Sequence, residues 1–180
     1  MRTPEPNPDT VVFFRDKFVP LRDAHVGMLT HALNYGTGVF EGIRGYWDAQ
    51  AGELHLVRPI EHYHRWKRNA SIIRIHIPQS VTELCDISAE LVRRNHFETD
   101  LYFRPLAFKS AARIGVHADE HDSIAIAAVP FGVYIESTRG ISAGVSSWRR
   151  IEDSAIPGRA KICGAYVNST LATDEARRNG

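Results

Sequence analysis

Apolar residues in the first two-thirds of the chain fall into short, partly alternating runs, separated by two stretches with helical spacing. Residues 11–19 read as a strand with a turn in it: Val11, Val12, Phe13 and Phe14, then polar Arg15, Asp16 and Lys17, then Phe18 and Val19. Residues 39–47 alternate in part and are interrupted by glycines, and residues 54–57 form a short strand. Pro59 suits the first turn of a helix running to about residue 73. Ser80 and Glu83 have the spacing of a capping box. Leu84, Ile87, Leu91 and Val92 then follow at helical intervals, which predicts an amphipathic helix over residues 81–95. Residues 101–108 read as a strand with Tyr102, Arg104, Leu106 and Phe108 on one face. Residues 123–129 are almost all apolar, which predicts a strand covered on both sides. Residues 141–151 read as another strand, and residues 164–179 as a helix. Arg177 and Arg178 are favourable near the end of that helix, and Gly180 is a stop signal.

Strands, two helices, strands, a linker, a strand and a helix make an α+β order, not an alternating βαβ one. The expected division is a disordered lead-in at 1–10, a small α+β domain at 11–129, an interdomain linker at 130–140, and the start of a larger domain at 141–180. The linker assignment rests on Pro130, Gly132, Gly140 and Ser137-Thr138. The formal charge of +1 creates no field to attract nucleic acid or an anionic membrane. No apolar run approaches the ~20 residues that span a bilayer. The Pro-rich, polar start lacks the apolar core of a signal peptide. Cys85 and Cys163 are far apart and form no CxxC pair, which suits a reducing cytoplasm.

Chemistry concentrates in three segments. Arg159-Ala160-Lys161 is followed, five residues after the lysine, by Tyr166 in Gly164-Ala165-Tyr166-Val167-Asn168-Ser169. Residues 35–44 and Tyr102-Phe103-Arg104-Pro105 add aromatic and cationic groups. Singly, each has an ordinary reading. Most lysines are simply exposed, Arg65 reads as a solvated helix arginine, and tyrosines and Phe40 read equally well as core packing. Tyr166 fits packing less well, because Ser169 and Thr170 at helical spacing from it are polar. Arg104 lies on an otherwise apolar strand, where an unpaired charge is costly. Gly36-Thr37-Gly38 is no dinucleotide fingerprint, since Glu41 stands where a third glycine belongs. His62 and His64 point apart on a helix, and residues 117–122 read as a solvated loop, so no metal site is expected.

Together, these segments resemble the branched-chain amino acid aminotransferases of the fold-type IV, pyridoxal-phosphate-dependent class. The resemblance is carried by residues 31–44, Tyr102-Phe103-Arg104-Pro105, Val145-Ser146-Ser147-Trp148, and Lys161 with Tyr166 and Asn168-Ser169, in the family's order. It covers nearly all of the chain beyond the first ten residues. Such enzymes need a desolvated lysine that forms a Schiff base with the cofactor and shuttles a proton. They also need an arginine for the cofactor phosphate. The resemblance implies pyridoxal 5'-phosphate as cofactor, Lys161 as the Schiff-base lysine, Arg65 at the phosphate and Tyr166 near the ring oxygen. It implies substrate-pocket positions at Tyr35, Phe40, Arg44, Tyr102, Arg104, Phe131 and Tyr134. Either Arg44 or Arg104 would take the second carboxylate of glutamate or 2-oxoglutarate. Phe131 departs from the family's tryptophan but stays aromatic, which changes pocket size and not chemistry.

The implied activity moves an amino group between Leu, Ile or Val and 2-oxoglutarate, with small-molecule partners and at least a homodimer. Family members are longer, and their larger C-terminal domain carries an acid that pairs with the pyridine nitrogen. The chain therefore reads as an N-terminal fragment, expected to have little activity alone and to leave the strand at residue 141 without sheet partners. Two other readings stay open. One is a D-amino acid aminotransferase or aminodeoxychorismate lyase of the same fold; the other is a non-catalytic product acting by association.

Overall fold

The computed structural model describes residues 5–118, 120–132 and 140–179. Strands β1 (Val11–Phe14) and β2 (Lys17–Pro20) form a hairpin in which Phe14 pairs with Lys17. Only Arg15 and Asp16 remain for the turn, and both take positive φ (48° and 64°), as a two-residue turn matching the strand twist requires. The predicted strand with a turn is thus a hairpin. The ordered chain also starts before the expected boundary at residue 11, because the carbonyls of Pro8 and Thr10 accept bonds from Arg22 and Leu21.

The predicted strand at 39–47 splits into β3 (Gly38–Phe40) and β4 (Ile43–Asp48). Both lie along the same edge of β6 (Leu101–Lys109), β3 against residues 106–108 and β4 against residues 101–103. The break falls at Glu41 and Gly42. Strands β5 (Glu53–Leu56) and β7 (Asp122–Pro130) complete a sheet with the order β2-β1-β7-β6-β4-β5, β3 lying off this path against β6. All its pairings among the described residues are antiparallel.

Helix α1 (His31–Tyr35) is too short to leave a periodic signal in the sequence; it stops at Gly36, which takes φ 66°. Helices α2 (Pro59–Ile72) and α3 (Val81–Asn95) follow the predicted spacing. The capping box forms in full: the Ser80 hydroxyl accepts from the Glu83 amide, and the Glu83 carboxylate accepts from the Ser80 amide. Both helices cover one face of the sheet. Tyr63, Trp66, Leu84 and Leu91 from the helices pack with Val39, Ile43, Phe103 and Ile126 from the strands, forming one core. Burying aromatic and aliphatic side chains of this size is the main stabilising contribution.

The opposite sheet face is only partly covered. Along β7, Ile124, Ile126 and Ala128 are buried while their neighbours are half-buried, so this strand is covered on one side and not on both as its composition suggests. Along β6, Leu101, Phe103, Pro105 and Ala107 face the core, and Tyr102, Arg104 and Leu106 face outward, as the alternation predicts. Phe108 shares that outer face but is buried there, with its ring stacked on Phe14.

The predicted strand at 141–151 does not form. Its polar groups are met locally: the Ser147 amide and the Ser146 hydroxyl bond to Glu175, and Asn168 donates to the Arg149 carbonyl. The predicted helix at 164–179 opens as a 3-10 turn (Cys163–Ala165) and continues as α4 (Tyr166–Arg178). Most of the predicted linker, residues 133–139, lies outside the described residues.

Candidate active site

The site grows out of one short pairing. Val39 in β3 bridges to Ile162, and the Phe40 amide donates to the Lys161 carbonyl at 3.0 Å. Cross-strand neighbours share a face. Val39 and Ile162 therefore both enter the core, at 0% and 5% exposure. Lys161 and Phe40 share the other face, with the lysine Nζ 4.9 Å from the phenyl centroid.

The 3-10 turn after Ile162 reverses the chain and brings Tyr166 back over the lysine. Lys161 Nζ donates to Tyr166 Oη at 2.9 Å. The Tyr166 ring meets Phe40 edge-on at 4.6 Å, a favoured arrangement for aromatic pairs. The turn is held by close backbone contact: the Gly164 amide donates to the Gly36 carbonyl, and a Cβ at Gly36 would lie 2.8 Å from the Gly164 Cα. At Gly36, both this approach and the positive φ require glycine.

Arg104 also lies over Phe40, at 4.5 Å, and over Tyr102, at 5.1 Å. Its guanidinium makes no hydrogen bond or ion pair among the described residues. Tyr102 in turn meets Phe131 at 5.3 Å. Arg44 is differently engaged. It lies over the rings of Tyr46 and Phe131 and donates to the Gly132 carbonyl at 3.2 Å. Lys161, Tyr166, Phe40, Arg104, Tyr102, Phe131 and Arg44 thus form one connected cluster.

Tyr35 and Arg65 are not joined to it. Tyr35 stacks on His31 and accepts a bond from the Gly115 amide, and no contact joins it to Lys161 among the described residues. Tyr134 lies outside the described residues.

Arg65 projects from α2 and is held by a residue that sequence reasoning passed over. Glu41 is only 1% exposed, and its carboxylate accepts from Arg65 Nε at 2.6 Å and from Nη2 at 2.8 Å. It also accepts from the Gly42 amide at 2.9 Å. Burial opposes ionisation of Glu41. The bonds from Arg65 and Gly42, with the charges of Arg65 and His62, outweigh it and hold the carboxyl below its ordinary value. The bond to Glu41 raises Arg65 against the effect of its own burial. The available signal was the charge itself: an acid between Phe40 and Ile43 on a core strand needs a partner. Burial also pushes the Cys163 thiol up, against the nearby Arg104 charge, so this cysteine is not poised as a nucleophile.

Residues 38–180 match the family model for amino-transferase class IV. The chain belongs to this family. Among curated class IV relatives, it is 41% identical over 169 residues to a probable branched-chain-amino-acid aminotransferase of Aquifex aeolicus, covering 93% of this chain and 54% of the relative. It is 40% identical over 174 residues to the branched-chain-amino-acid aminotransferase of Escherichia coli K12, covering 94% and 55%. A crystal structure of the branched-chain aminotransferase from Thermoproteus uzoniensis with norvaline superposes with a TM-score of 0.90 at 41% identity, covering 95% of this chain and 57% of that one. The branched-chain amino acid aminotransferase from Thermobaculum terrenum, in its PLP-bound holo-form, gives 0.84 at 30% identity, covering 96% and 57%. The chain thus spans about half the length of the class IV relatives it matches. No helix among the described residues is long and apolar enough to cross a membrane.

Proposed function

We propose that this chain is the lysine-bearing part of a pyridoxal-phosphate-dependent aminotransferase that moves an amino group between Leu, Ile or Val and 2-oxoglutarate. The observation that carries the reading is the half-buried Lys161 amine on an aromatic floor, 2.9 Å from a phenol and beside an arginine without a polar partner among the described residues. The donor set fits the cofactor. A primary amine would hold the aldehyde carbon, the Tyr166 phenol would meet the ring oxygen, and Arg65 would meet the phosphate through Nη1. When bound, pyridoxal phosphate supplies an electron-withdrawing ring that takes up the electron pair of the substrate's broken Cα–H bond.

Lys161 serves as the base. Its Nζ, which would hold the cofactor in the resting protein, is the group placed to take a proton from the substrate's Cα and give it back. Tyr166 holds that Nζ in place through a hydrogen bond that survives either direction of donation. The Phe40 and Tyr102 rings offer apolar contact to an aliphatic side chain and leave few polar groups unpaired. Arg104 is the arginine of choice for the second carboxylate of the acidic substrate, because Arg44 is already engaged with Gly132, Tyr46 and Phe131. By the family resemblance, Tyr35 and Tyr134 line the same substrate pocket, and the whole protein works in the cytoplasm as at least a homodimer.

The test is chemical. The protein is mixed with pyridoxal phosphate, reduced with borohydride and mapped by peptide mass. A single pyridoxyl adduct on Lys161 is expected. Adducts scattered over surface lysines would sink the lysine assignment. With the whole protein, amino transfer from D-amino acids or pyruvate release from aminodeoxychorismate would replace the substrate assignment.

A further inference from the structure

We propose that Glu41 is the positioning residue for the phosphate-holding arginine, fixing Arg65 by one edge of its guanidinium and leaving the other for the cofactor phosphate. The inference rests on the assignment of Arg65 to the phosphate.

An arginine has five N–H donors in a rigid plane. Glu41 takes the Nε–H and one Nη2–H, a side-on pairing through two oxygens. The other Nη2–H faces His62 Nδ1 at 3.1 Å. Both Nη1–H groups make no hydrogen bond among the described residues, and the Arg65 side chain is 49% exposed. Two bonds on one edge of a plane remove its rotational freedom. The free edge is therefore presented in one direction and not swept through solvent.

Glu41 is itself fixed. Its carboxylate is buried, its amide donates to the Pro105 carbonyl at 2.9 Å, and Oε1 also accepts from Gly42. The next residue back, Phe40, is the one whose amide holds the Lys161 carbonyl. One stretch of backbone therefore sets both groups, Lys161 through Phe40 and Arg65 through Glu41. The aldehyde and phosphate of the cofactor are a fixed distance apart, so amine and guanidinium must be placed relative to each other. A continuous two-residue link does this.

The proposal makes a prediction opposite in sign to simple electrostatics. Glu41 cancels the charge of Arg65, so removing its charge should favour a phosphate if charge alone mattered. Positioning demands the reverse. Glu41→Gln puts an amide N–H against an Arg65 or Gly42 donor and breaks the side-on pair.

The experiment titrates the protein with pyridoxal phosphate and with pyridoxal, which lacks the phosphate, and reads dissociation constants from absorbance. Wild type, Glu41→Gln, Arg65→Ala and the double variant are compared. Glu41→Gln is expected to weaken pyridoxal phosphate binding about tenfold and to leave pyridoxal unchanged. In the Arg65→Ala background it is expected to add nothing, since both changes act through one group. Equal losses for both ligands would mean a merely structural role and would overturn the proposal, as would unchanged or tighter binding of pyridoxal phosphate. If Arg65→Ala itself leaves the preference for the phosphate intact, the assignment of Arg65 fails, and the proposal with it. Arg65→Lys covers the case in which Glu41→Gln does not fold. It keeps the charge but not the fork, and is expected to lose the phosphate-dependent affinity; wild-type affinity there would overturn the proposal.

Discussion

The described residues before 133 and residues 140–179 are held by different means. The first region carries its own core: α3 buries Leu84 and Leu91, α2 buries Tyr63 and Trp66, and the strands bury their inner faces. The second has a helix of similar length, α4, with no buried residue at all. Ile141, Val145, Trp148 and Val167 are exposed. What holds the second region to the first is residues 156–166: Ile156 against the core, Ala160 and Ile162 within it, Gly164 against Gly36 and Tyr166 against Phe40. Lys161 lies in that stretch. The Lys161 amine is thus placed by the rigid body, between two residues that are themselves part of its core.

The largest expected effect comes from breaking the body. Trp66 is fully buried, and its indole N–H donates to the Val39 carbonyl. Trp66→Ala leaves a cavity and removes the indole's bond, and is expected to cost about 3–5 kcal/mol. Denaturant unfolding should show it as a lower midpoint. A loss below about 1 kcal/mol would mean that α2 is not part of the cooperative unit.

A smaller and more local effect is expected at the junction. Gly36→Ala puts a side chain on a residue at φ 66° and against the Gly164 backbone. Strain at such a φ costs on the order of 1–2 kcal/mol, and the clash adds to it. The turn at 163–165 should move away while the body stays folded. Limited proteolysis is expected to cut between residues 140 and 179 sooner than in wild type, with little change in the unfolding midpoint. Cleavage spread evenly through the chain would show that the two regions are not separable.

The same contrast explains what could be read from the sequence. In the body, burial is one-sided and local, so periodicity carries the information. The capping box and apolar spacing give α3 over the residues where it forms, and Pro59 marks the start of α2. The break between β3 and β4 was harder to see, because it depends on Glu41 being drawn toward Arg65 on a separate helix. In residues 141–151 the apolar pattern was real but no strand forms, since a strand needs a neighbour and this segment pairs with none among the described residues. Most of the candidate site came from the family's pattern of residue types and not from periodicity. Geometry then divided it: Arg104 and Arg44 looked equivalent in sequence, and only their partners distinguish them. Glu41 was missed because its role lies in a contact with a residue on another element.

The smallest expected effect sharpens the comparison at the seam itself. The Glu41 carboxyl lies below its ordinary value of 4.5 in the folded protein. On acidification the unfolded chain therefore takes up this proton first. The stabilisation from Glu41 is complete above about pH 4.5 and is lost as pH falls through the lower folded value. Arg65 is half exposed, so solvent screens the pair and the loss is modest. Other carboxylates are also lowered, Glu83 and Glu90 among them, so wild type alone cannot isolate the contribution. The difference between wild type and Glu41→Gln can. Their stability gap should be constant at neutral pH and narrow on the acid side. Backbone pairing at Phe40 carries no titrating group, so amide exchange at Phe40 should stay protected through the same range. A gap that stays constant down to about pH 3, well below the ordinary carboxylate value, would show that Glu41 is not held ionised by Arg65. Early loss of protection at Phe40 would show that the lysine and the arginine are set by one coupled unit, not by two independent bonds on one strand.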